Sequence, residues 1–299
     1  MEEKIRKVAV IGTGLLGTQI AIQATCFDYE VSAHDPDEGS FNKVIQIIDA
    51  MMKFTGKGPV VPMEEWGKGV KSVNLCKDLE EALGDADLVI EAAPEELELK
   101  RKLFERLEAL APRGAILATN SSSIPISKIE SATTRPERCL NMHFYSPALG
   151  LNMVDIMGGT RTTAETIEAG KAWIRSIGCV PLTVKKEILG FCFNRVWRAI
   201  KRETLYLWAE GFAELRDIDR GWMIFYGTSQ GPFGLMDMVG LDVVYDIEMV
   251  YYNESKDPKD RPPQALKDMI DRKKLGVKTG KGFYTYPDPE FTRPDFLQG

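Results

Sequence analysis

Proton transfer near pH 7 is most often carried out by histidine, and the chain has two histidines, His34 and His143. His143 ends a predicted strand, and open α/β sheets bind their ligands at the carboxyl ends of strands. Asp155 interrupts the apolar run from Met153 to Met157, where a buried carboxylate needs a partner such as a protonated imidazole. These residues predict acid–base chemistry at His143. A histidine satisfied inside the core is the equal alternative from position alone.

Polar side chains at two other places favour the first interpretation. Ser122 lies in the run Asn120–Ser123, directly after a predicted strand, and Asn194 begins the first helix of the later part of the chain. Either side chain could hold a substrate oxygen, and either could instead cap a helix. His34 lies beside Asp35 and is predicted to be an edge residue, remote from the reaction.

A glycine-rich turn lies between a predicted strand, Lys7–Ile11, and a predicted helix, Thr18–Cys26. The turn consists of Gly12, Thr13, Gly14, Leu15, Leu16 and Gly17. The first glycine of this GxGxxG pattern permits a tight turn, the second lets the backbone approach a pyrophosphate, and the third lets helix and strand pack closely. The amino terminus of the helix stabilises phosphate charge. The segment therefore predicts a dinucleotide site, with an ordinary glycine-rich turn as the alternative.

Asp35 follows the second predicted strand, Glu30–His34, and is the acidic residue expected to bind the adenine-ribose hydroxyls. A carboxylate at this position repels a 2′-phosphate, and no arginine occurs in residues 36–39 to reverse that preference. Asp35 therefore favours NAD over NADP. The alternative is an ordinary turn residue before Pro36.

Strands and helices alternate through the first part of the chain, and only helical periodicity follows. After the first two strands, further strands are predicted over Asp87–Glu91, Ala115–Thr119, Arg138–Phe144, Asn152–Ile156 and Cys179–Thr183, with helices over Phe41–Phe54, Leu97–Leu110 and Ala164–Ile177. Later helices are predicted over Arg195–Trp208, Ile218–Phe225, Val243–Tyr252 and Pro263–Arg272. The predicted fold class is α/β: a Rossmann-type doubly wound parallel sheet in residues 1–186, followed by an all-α domain in residues 187–299.

The composition excludes several classes of protein. The chain has 299 residues, a net charge of −6 and a pI of about 5.3, and this acidic balance argues against nucleic-acid binding. No apolar run reaches the length of a membrane span, so no membrane partner is expected. The five cysteines include no CxxC pair, which predicts neither a disulfide framework nor a metal site. A cytoplasmic location is the simplest expectation.

Several motifs occur in one order along the chain and together resemble those of the L-3-hydroxyacyl-CoA dehydrogenase family. Besides the glycine turn they are Ile90–Glu95, Thr119–Ser123, His143–Pro147, Gly190–Arg195, Gly231–Gly234 and Lys278–Tyr284. The resemblance extends from about Val8 to Tyr286. It implies an enzyme that uses NAD to oxidise a short-chain L-3-hydroxyacyl-CoA to the 3-ketoacyl-CoA, and a homodimer formed through the C-terminal domain.

The resemblance also implies roles for single residues. His143 takes the hydroxyl proton and Asp155 holds His143. Ser122 and Asn194 contact the polar oxygens of the substrate. Besides the glycine turn, the residues implied to contact the cofactor are Asp35, Glu95, Lys100, Asn120 and Lys278.

The sequence departs from the family pattern in two regions. The family has Glu where this chain has Asp155 and Asn where it has Ser146, and the shorter carboxylate reaches the histidine only if the backbone shifts. The stretch Met52–Trp66 differs from the basic helical hairpin that binds CoA. There Lys53 and Lys57 remain as substrate-binding candidates, with ordinary solvated lysines as the alternative. These departures leave two other functions open: a family member that acts on a small hydroxy acid or alcohol without CoA, and an inactive NAD-binding structural or regulatory protein.

Overall fold

The computed structural model describes residues 5–145 and 151–299. The chain divides into two compact units, Met1–Cys192 and Phe193–Gly299. The sequence predicts the boundary after residue 186, but Phe191 packs into a small apolar cluster of the first unit, so the change of unit comes later. Among the described helices, none is both long enough and apolar enough to cross a lipid bilayer.

The first unit is built on one sheet. Its strands are β1 Lys7–Ile11, β2 Glu30–His34, β3 Asn74–Leu75, β4 Leu88–Glu91, β5 Ile116–Thr119, β6 Cys139–Phe144, β7 Asn152–Gly158 and β8 Cys179–Val184. They form a single eight-stranded sheet in the order β3-β2-β1-β4-β5-β6-β7-β8, and β1 to β6 are parallel. The strand order reverses between β1 and β4, and ligands of such sheets bind at the carboxyl ends of strands beside this reversal.

The last two strands, β7 and β8, run opposite to the others, although the sequence predicts a parallel sheet. The reason is the connection between β6 and β7, residues 145–151, which is shorter than the roughly twelve residues of a parallel crossover. β7 therefore returns directly alongside β6, and the antiparallel register places Asp155 opposite His143.

Helices cover both faces of this sheet. They are α1 Leu15–Thr25, α2 Ser40–Thr55, α3 Met63–Ser72, α4 Leu79–Leu83, α5 Leu97–Leu110 and α6 Ala164–Ser176. Side chains alternate along β1, so that Val8 and Val10 join one buried apolar cluster while Ala9 and Ile11 join the other. The two clusters lie on opposite faces of the sheet, which confirms the doubly wound fold.

Helix α3 is absent from the sequence predictions, because Gly67 and Gly69 lower its helical propensity. In the structure, Gly69 is required for close packing. A Cβ at this position would lie 2.5 Å from Sγ of Cys26 and 3.0 Å from Oγ1 of Thr25. The glycine therefore lets α3 pack closely against the end of α1. The short elements β3 and α4 are also missed, since so few residues show little periodicity.

The second unit is helical, as predicted. Its helices are α7 Phe193–Ala209, α8 Leu215–Tyr226, α9 Pro232–Val239, α10 Leu241–Ser255 and α11 Gln264–Asp271. Two fully buried carboxylates hold segments of the sequence motifs in place: Asp219 accepts hydrogen bonds from the amides of Phe233 at 2.9 Å and Gly234 at 3.1 Å. Asp237 accepts one from the amide of Tyr284 at 2.9 Å. Burial raises the pKa of Asp219 to about 6, although the hydrogen bonds oppose this change.

Candidate active site

The carboxyl ends of β1, β4, β5 and β6 lie side by side at one edge of the sheet. The glycine turn follows β1, Glu95 follows β4, Ser122 follows β5, and His143 lies one residue before the end of β6. The parallel topology thus brings these predicted residues of the first unit to the same edge, where ligands of α/β sheets bind.

The glycine turn has the geometry that its three glycines predict. Gly12 has a φ of +102°, and a Cβ on it would lie 2.6 Å from the carbonyl oxygen of Ala92. A Cβ on Gly17 would lie 1.9 Å from the carbonyl oxygen of Gly12, so both positions require glycine. A Cβ on Gly14 would meet no atom within 4 Å. Helix α1 has no side-chain cap and no acidic residue in its first turn, so open space and backbone amides are available to an anion.

Asp35 lies at the end of β2, half-buried beside the glycine turn. Its Oδ2 accepts a hydrogen bond from the amide of Thr13 at 2.7 Å, and its Oδ1 accepts one from the amide of Asp37 at 2.9 Å. The hydroxyl of Thr13 is buried and has no hydrogen-bond partner among the described residues. The glycine turn and the predicted ribose-binding carboxylate are therefore hydrogen-bonded to each other. The hydroxyl of Thr13 is still available to a ligand.

A buried ion pair lies at the carboxyl end of β4. Nζ of Lys100 is 2.6 Å from Oε1 of Glu91, and the two side chains are 1% and 0% exposed. The ammonium also donates to the carbonyl oxygen of Ala93 at 3.0 Å, and the hydroxyl of Thr119 donates to the other oxygen of Glu91 at 2.6 Å. Lys100, predicted to contact a cofactor, is thus enclosed, and Glu91 joins it to Thr119 at the end of β5. The pairing of Glu91 is missing from the sequence predictions.

Glu95 organises the loop after β5. Its Oε1 accepts hydrogen bonds from the hydroxyl of Ser121 at 2.7 Å and from the amide and hydroxyl of Ser123, both at 2.8 Å. Burial works to raise the pKa of Glu95, but these hydrogen bonds and the charge of Lys100 outweigh it, and the net pKa is lowered. Asn120 ties this loop to β6, since its Oδ1 accepts from the amide of Phe144 at 2.8 Å.

His143 is nearly buried and is held on three sides. Its Nε2 lies 3.0 Å from Oγ of Ser122. The ring of Phe191 stacks on the imidazole with 4.9 Å between ring centroids and 5° between planes, and the ring of Tyr145 meets it edge-on at 4.6 Å. Two residues for which the sequence predicts catalytic roles, His143 and Ser122, thus lie within hydrogen-bond distance of each other. The stacking of Phe191 could not be inferred from its position in the sequence.

Asp155 is fully buried beside the imidazole but makes no hydrogen bond to it. Its Oδ2 lies 3.9 Å from Nδ1 of His143, beyond hydrogen-bond distance, and Nδ1 has no partner among the described residues. The same Oδ2 accepts a hydrogen bond from the hydroxyl of Tyr145. Tyr145 is missing from the sequence predictions, because in the sequence it resembles any aromatic residue that follows a buried strand. Ser146, the other departure, lies outside the described residues.

Two protein-family models match the sequence of this chain. The model described as 3-hydroxyacyl-CoA dehydrogenase, NAD binding domain, matches residues 7–188, and the model of the C-terminal domain of the same enzymes matches residues 190–286. The chain belongs to the 3-hydroxyacyl-CoA dehydrogenase family. The resemblance inferred from the motifs is thereby confirmed, and the chain is an NAD-dependent dehydrogenase.

Relatives of this dehydrogenase differ in their substrates. It is similar to the 3-hydroxybutyryl-CoA dehydrogenase of Clostridioides difficile, with 33% identity over 94% of this chain and 99% of that protein. It is also similar to the 5-formyl-3-hydroxy-2-methylpyridine 4-carboxylate 5-dehydrogenase of Mesorhizobium japonicum, with 31% identity over 97% and 93% of the two chains. A solved structure of a diketoreductase that acts on dicarbonyl compounds superposes with a TM-score of 0.83, 33% identity and coverage of 95% and 99%.

The remaining predicted residues of the dehydrogenase lie away from the sheet edge or in the second unit. Asn194 is the second residue of α7, and Lys278 donates to a carboxylate oxygen of Asp242 at 2.6 Å; both belong to the second unit. Lys53 lies near the end of α2 and Lys57 follows that helix, both exposed. The roles of these residues toward substrate and cofactor stay predictions.

The dehydrogenase offers a direct test of Asp35. We expect Asp35→Ala to weaken NADH binding by about 10- to 100-fold, since hydrogen bonds to a charged group contribute roughly 1.5–3 kcal/mol. NADPH affinity falls less, because the carboxylate that repels its 2′-phosphate is removed. Fluorescence titration with both nucleotides measures the ratio. Asp37→Ala, which removes a neighbouring exposed carboxylate paired with Lys43 at 2.9 Å, is the matched control. An unchanged ratio in Asp35→Ala would remove this residue from the site.

Proposed function

We propose that this dehydrogenase interconverts a short-chain L-3-hydroxyacyl-CoA and the corresponding 3-ketoacyl-CoA, with His143 exchanging the hydroxyl proton. The observation that supports this most directly is the distance of 3.0 Å between Nε2 of His143 and Oγ of Ser122. The two side chains come from the ends of neighbouring strands, at the edge of the sheet that carries the glycine turn. A substrate hydroxyl placed between them meets a base and a hydrogen-bond donor together.

Each residue of the site has a distinct role in the proposed reaction. When bound, NAD accepts a hydride from the alcohol carbon. The hydroxyl on that carbon loses its proton as the hydride leaves, and Nε2 of His143 accepts this proton in oxidation and returns it in reduction. Ser122 donates a hydrogen bond to the same oxygen and fixes its position. The carboxylate of Asp155, 3.9 Å from Nδ1, stabilises the imidazolium that forms.

A second candidate is oxidation of a small hydroxy acid or alcohol that carries no CoA. Helix α3 contributes a cation, Lys68, whose ammonium is already paired with Glu64 at 3.0 Å and Glu65 at 2.8 Å. This pairing leaves less positive charge for the phosphates of CoA. Relatives named for a pyridine carboxylate and for dicarbonyl compounds are about as similar to the chain as the CoA-dependent relative is.

The experiment that separates the two candidates is NADH oxidation with acetoacetyl-CoA, free acetoacetate and a CoA-free acetoacetyl thioester at equal concentration. Turnover confined to the CoA ester is the result expected from the proposed function. Comparable turnover of the three compounds, or turnover of the free acid alone, supports the second candidate. Turnover of none, with NADH binding intact by fluorescence, contradicts both substrates and directs the search to other hydroxy compounds.

We further propose that the dehydrogenase is a homodimer formed through its second unit. Ile224, Phe225 and Tyr226 are consecutive residues of α8 and are 59%, 80% and 61% exposed, and 5.0 Å separates the ring centroids of Phe225 and Tyr226. Large apolar side chains exposed together are typical of protein interfaces. Size-exclusion chromatography with light scattering is expected to give twice the chain mass of 33.5 kDa. A mass of 33.5 kDa at micromolar concentration would contradict the dimer.

A further inference from the structure

The hydroxyl of Tyr145 adds a third group to the pair formed by His143 and Asp155. Tyr145 directly follows β6, and its hydroxyl donates a hydrogen bond to Oδ2 of Asp155 on the neighbouring strand. Its ring meets the imidazole of His143 edge-on, with 4.6 Å between centroids and 73° between planes. Tyr145 therefore contacts both members of the pair.

The burial of Asp155 explains why this hydrogen bond matters. The carboxylate is 0% exposed, and an ionised carboxylate removed from water requires a donor. Nδ1 of His143, at 3.9 Å, is too far away to be that donor, and Oδ1 has no partner among the described residues. The hydroxyl of Tyr145 supplies the hydrogen bond that keeps this carboxylate in its place.

The imidazole itself is fixed by other groups. Phe191 stacks on one face with 4.9 Å between centroids, and Ser122 lies at Nε2. With the ring held, the distance between Nδ1 and the carboxylate depends on where Asp155 points. Tyr145 is the residue that sets this direction.

We propose that Tyr145 is a positioning residue, whose hydroxyl holds the short carboxylate of Asp155 beside Nδ1 of His143 while the imidazole takes up the substrate proton. The inference rests on the proposed function of His143 as the base. A carboxylate one methylene longer would reach Nδ1 by itself, whereas the aspartate is kept near by a second hydrogen bond. The hydrogen bond from Tyr145 thus compensates for the shorter side chain of Asp155.

This geometry predicts that two individually harmful substitutions compensate for each other. Tyr145→Phe is expected to lower kcat roughly tenfold or more with little change in KM, because the charge beside the imidazolium is no longer held. Asp155→Glu is also expected to lower kcat, since the added methylene is forced against the tyrosine hydroxyl. In the double variant the methylene takes the space of the missing hydroxyl, and kcat returns to within about threefold of wild type.

A control and two opposing results make this test decisive. Tyr29→Phe removes a tyrosine hydroxyl that lies 2.6 Å from Oγ of Ser176, and it is expected to leave kcat unchanged and to give no rescue of Asp155→Glu. Additive losses in the double variant, or wild-type kcat in Tyr145→Phe, would overturn the proposal. Either result, with His143→Gln inactive, leaves the role of His143 standing.

A measurement without substrate covers the case in which the wild type turns over none of the compounds. The chain has two histidines, so nitrogen-15-labelled histidine gives few ring signals, and His34→Gln assigns them. In Tyr145→Phe at constant pH, the Nδ1 signal of His143 is expected to move while the signals of His34 stay. It is expected to move back in the double variant. An Nδ1 signal that stays in place overturns the proposal on Tyr145, whatever the substrate.

Discussion

His143→Gln is expected to lower turnover of the preferred substrate by about 10²- to 10⁴-fold, which is the contribution of a positioned acid–base group. Glutamine resembles histidine in size and leaves Ser122 a polar neighbour, but it accepts no proton near pH 7. The loss therefore falls on kcat. NADH affinity is expected to stay within about twofold of wild type, because the glycine turn is unaltered. Steady-state kinetics and NADH fluorescence titration measure the two quantities.

The second histidine provides the control for this variant. Nδ1 of His34, at the end of β2, lies 3.1 Å from the carbonyl oxygen of Cys76. Strands β1, β4 and β5 lie between β2 and β6, the strand of His143. His34→Gln is therefore expected to retain wild-type kcat. Near-wild-type turnover in His143→Gln would show that another group exchanges the proton.

Gly14→Ala is expected to remove most of the affinity for NADH while leaving the stability of the fold close to that of the wild type. Gly14 has a φ of −65°, which alanine adopts without strain, and no atom lies within 4 Å of the added Cβ. The substitution restricts the unfolded chain, which favours the fold by about 0.4–1 kcal/mol. This gain is offset because alanine suits the N-cap of α1 less well than glycine does. The same methyl group occupies space that a bound pyrophosphate needs, and we expect Kd to rise on the order of 10²-fold, about 2.8 kcal/mol.

Two further glycine variants separate this effect from general damage. A Cβ on Gly67, in α3, would also meet no atom within 4 Å, so Gly67→Ala is expected to leave NADH affinity unchanged. Gly17→Ala is expected to destabilise the first unit, because its Cβ would lie 1.9 Å from a backbone oxygen. Fluorescence titration and thermal denaturation of the three proteins give the comparison. Wild-type affinity in Gly14→Ala would exclude the turn as the pyrophosphate site.

The parallel part of the fold follows from local sequence patterns. β1 and β2 have the predicted bounds, Lys7–Ile11 and Glu30–His34, because each is a short run rich in β-branched or apolar residues that ends at a turn. α5 also has its predicted bounds, Leu97–Leu110, since its apolar residues repeat with helical period. The direction of β7 has no such signature. A buried strand shows the same pattern of residues whichever way it runs, and the pairing partner decides its direction.

The site could be predicted less completely than the fold. A carboxylate in an apolar run indicates that Asp155 needs a partner, but the sequence does not show which donor the strand register brings to it. The same signal is present at Glu91, which ends an apolar strand and precedes Lys100 in the next helix, and it predicts that Glu91 also needs a partner. The stacking of Phe191 on His143 joins residues that are far apart in the sequence, so no local pattern predicts it.

The hairpin formed by β6 and β7 has a consequence for how the site responds to local opening of the protein. His143 and Asp155 face each other across strands joined by a few residues, so their proximity forms locally and persists while the hairpin persists. The contact of His143 with Ser122 spans two parallel strands and depends on the docking of distant segments. Fluctuations that loosen the sheet between β5 and β6 would therefore separate His143, the proposed base, from Ser122 while leaving it beside Asp155. Substitutions that weaken the pairing of β5 with β6 are therefore expected to lower turnover before they unfold the protein.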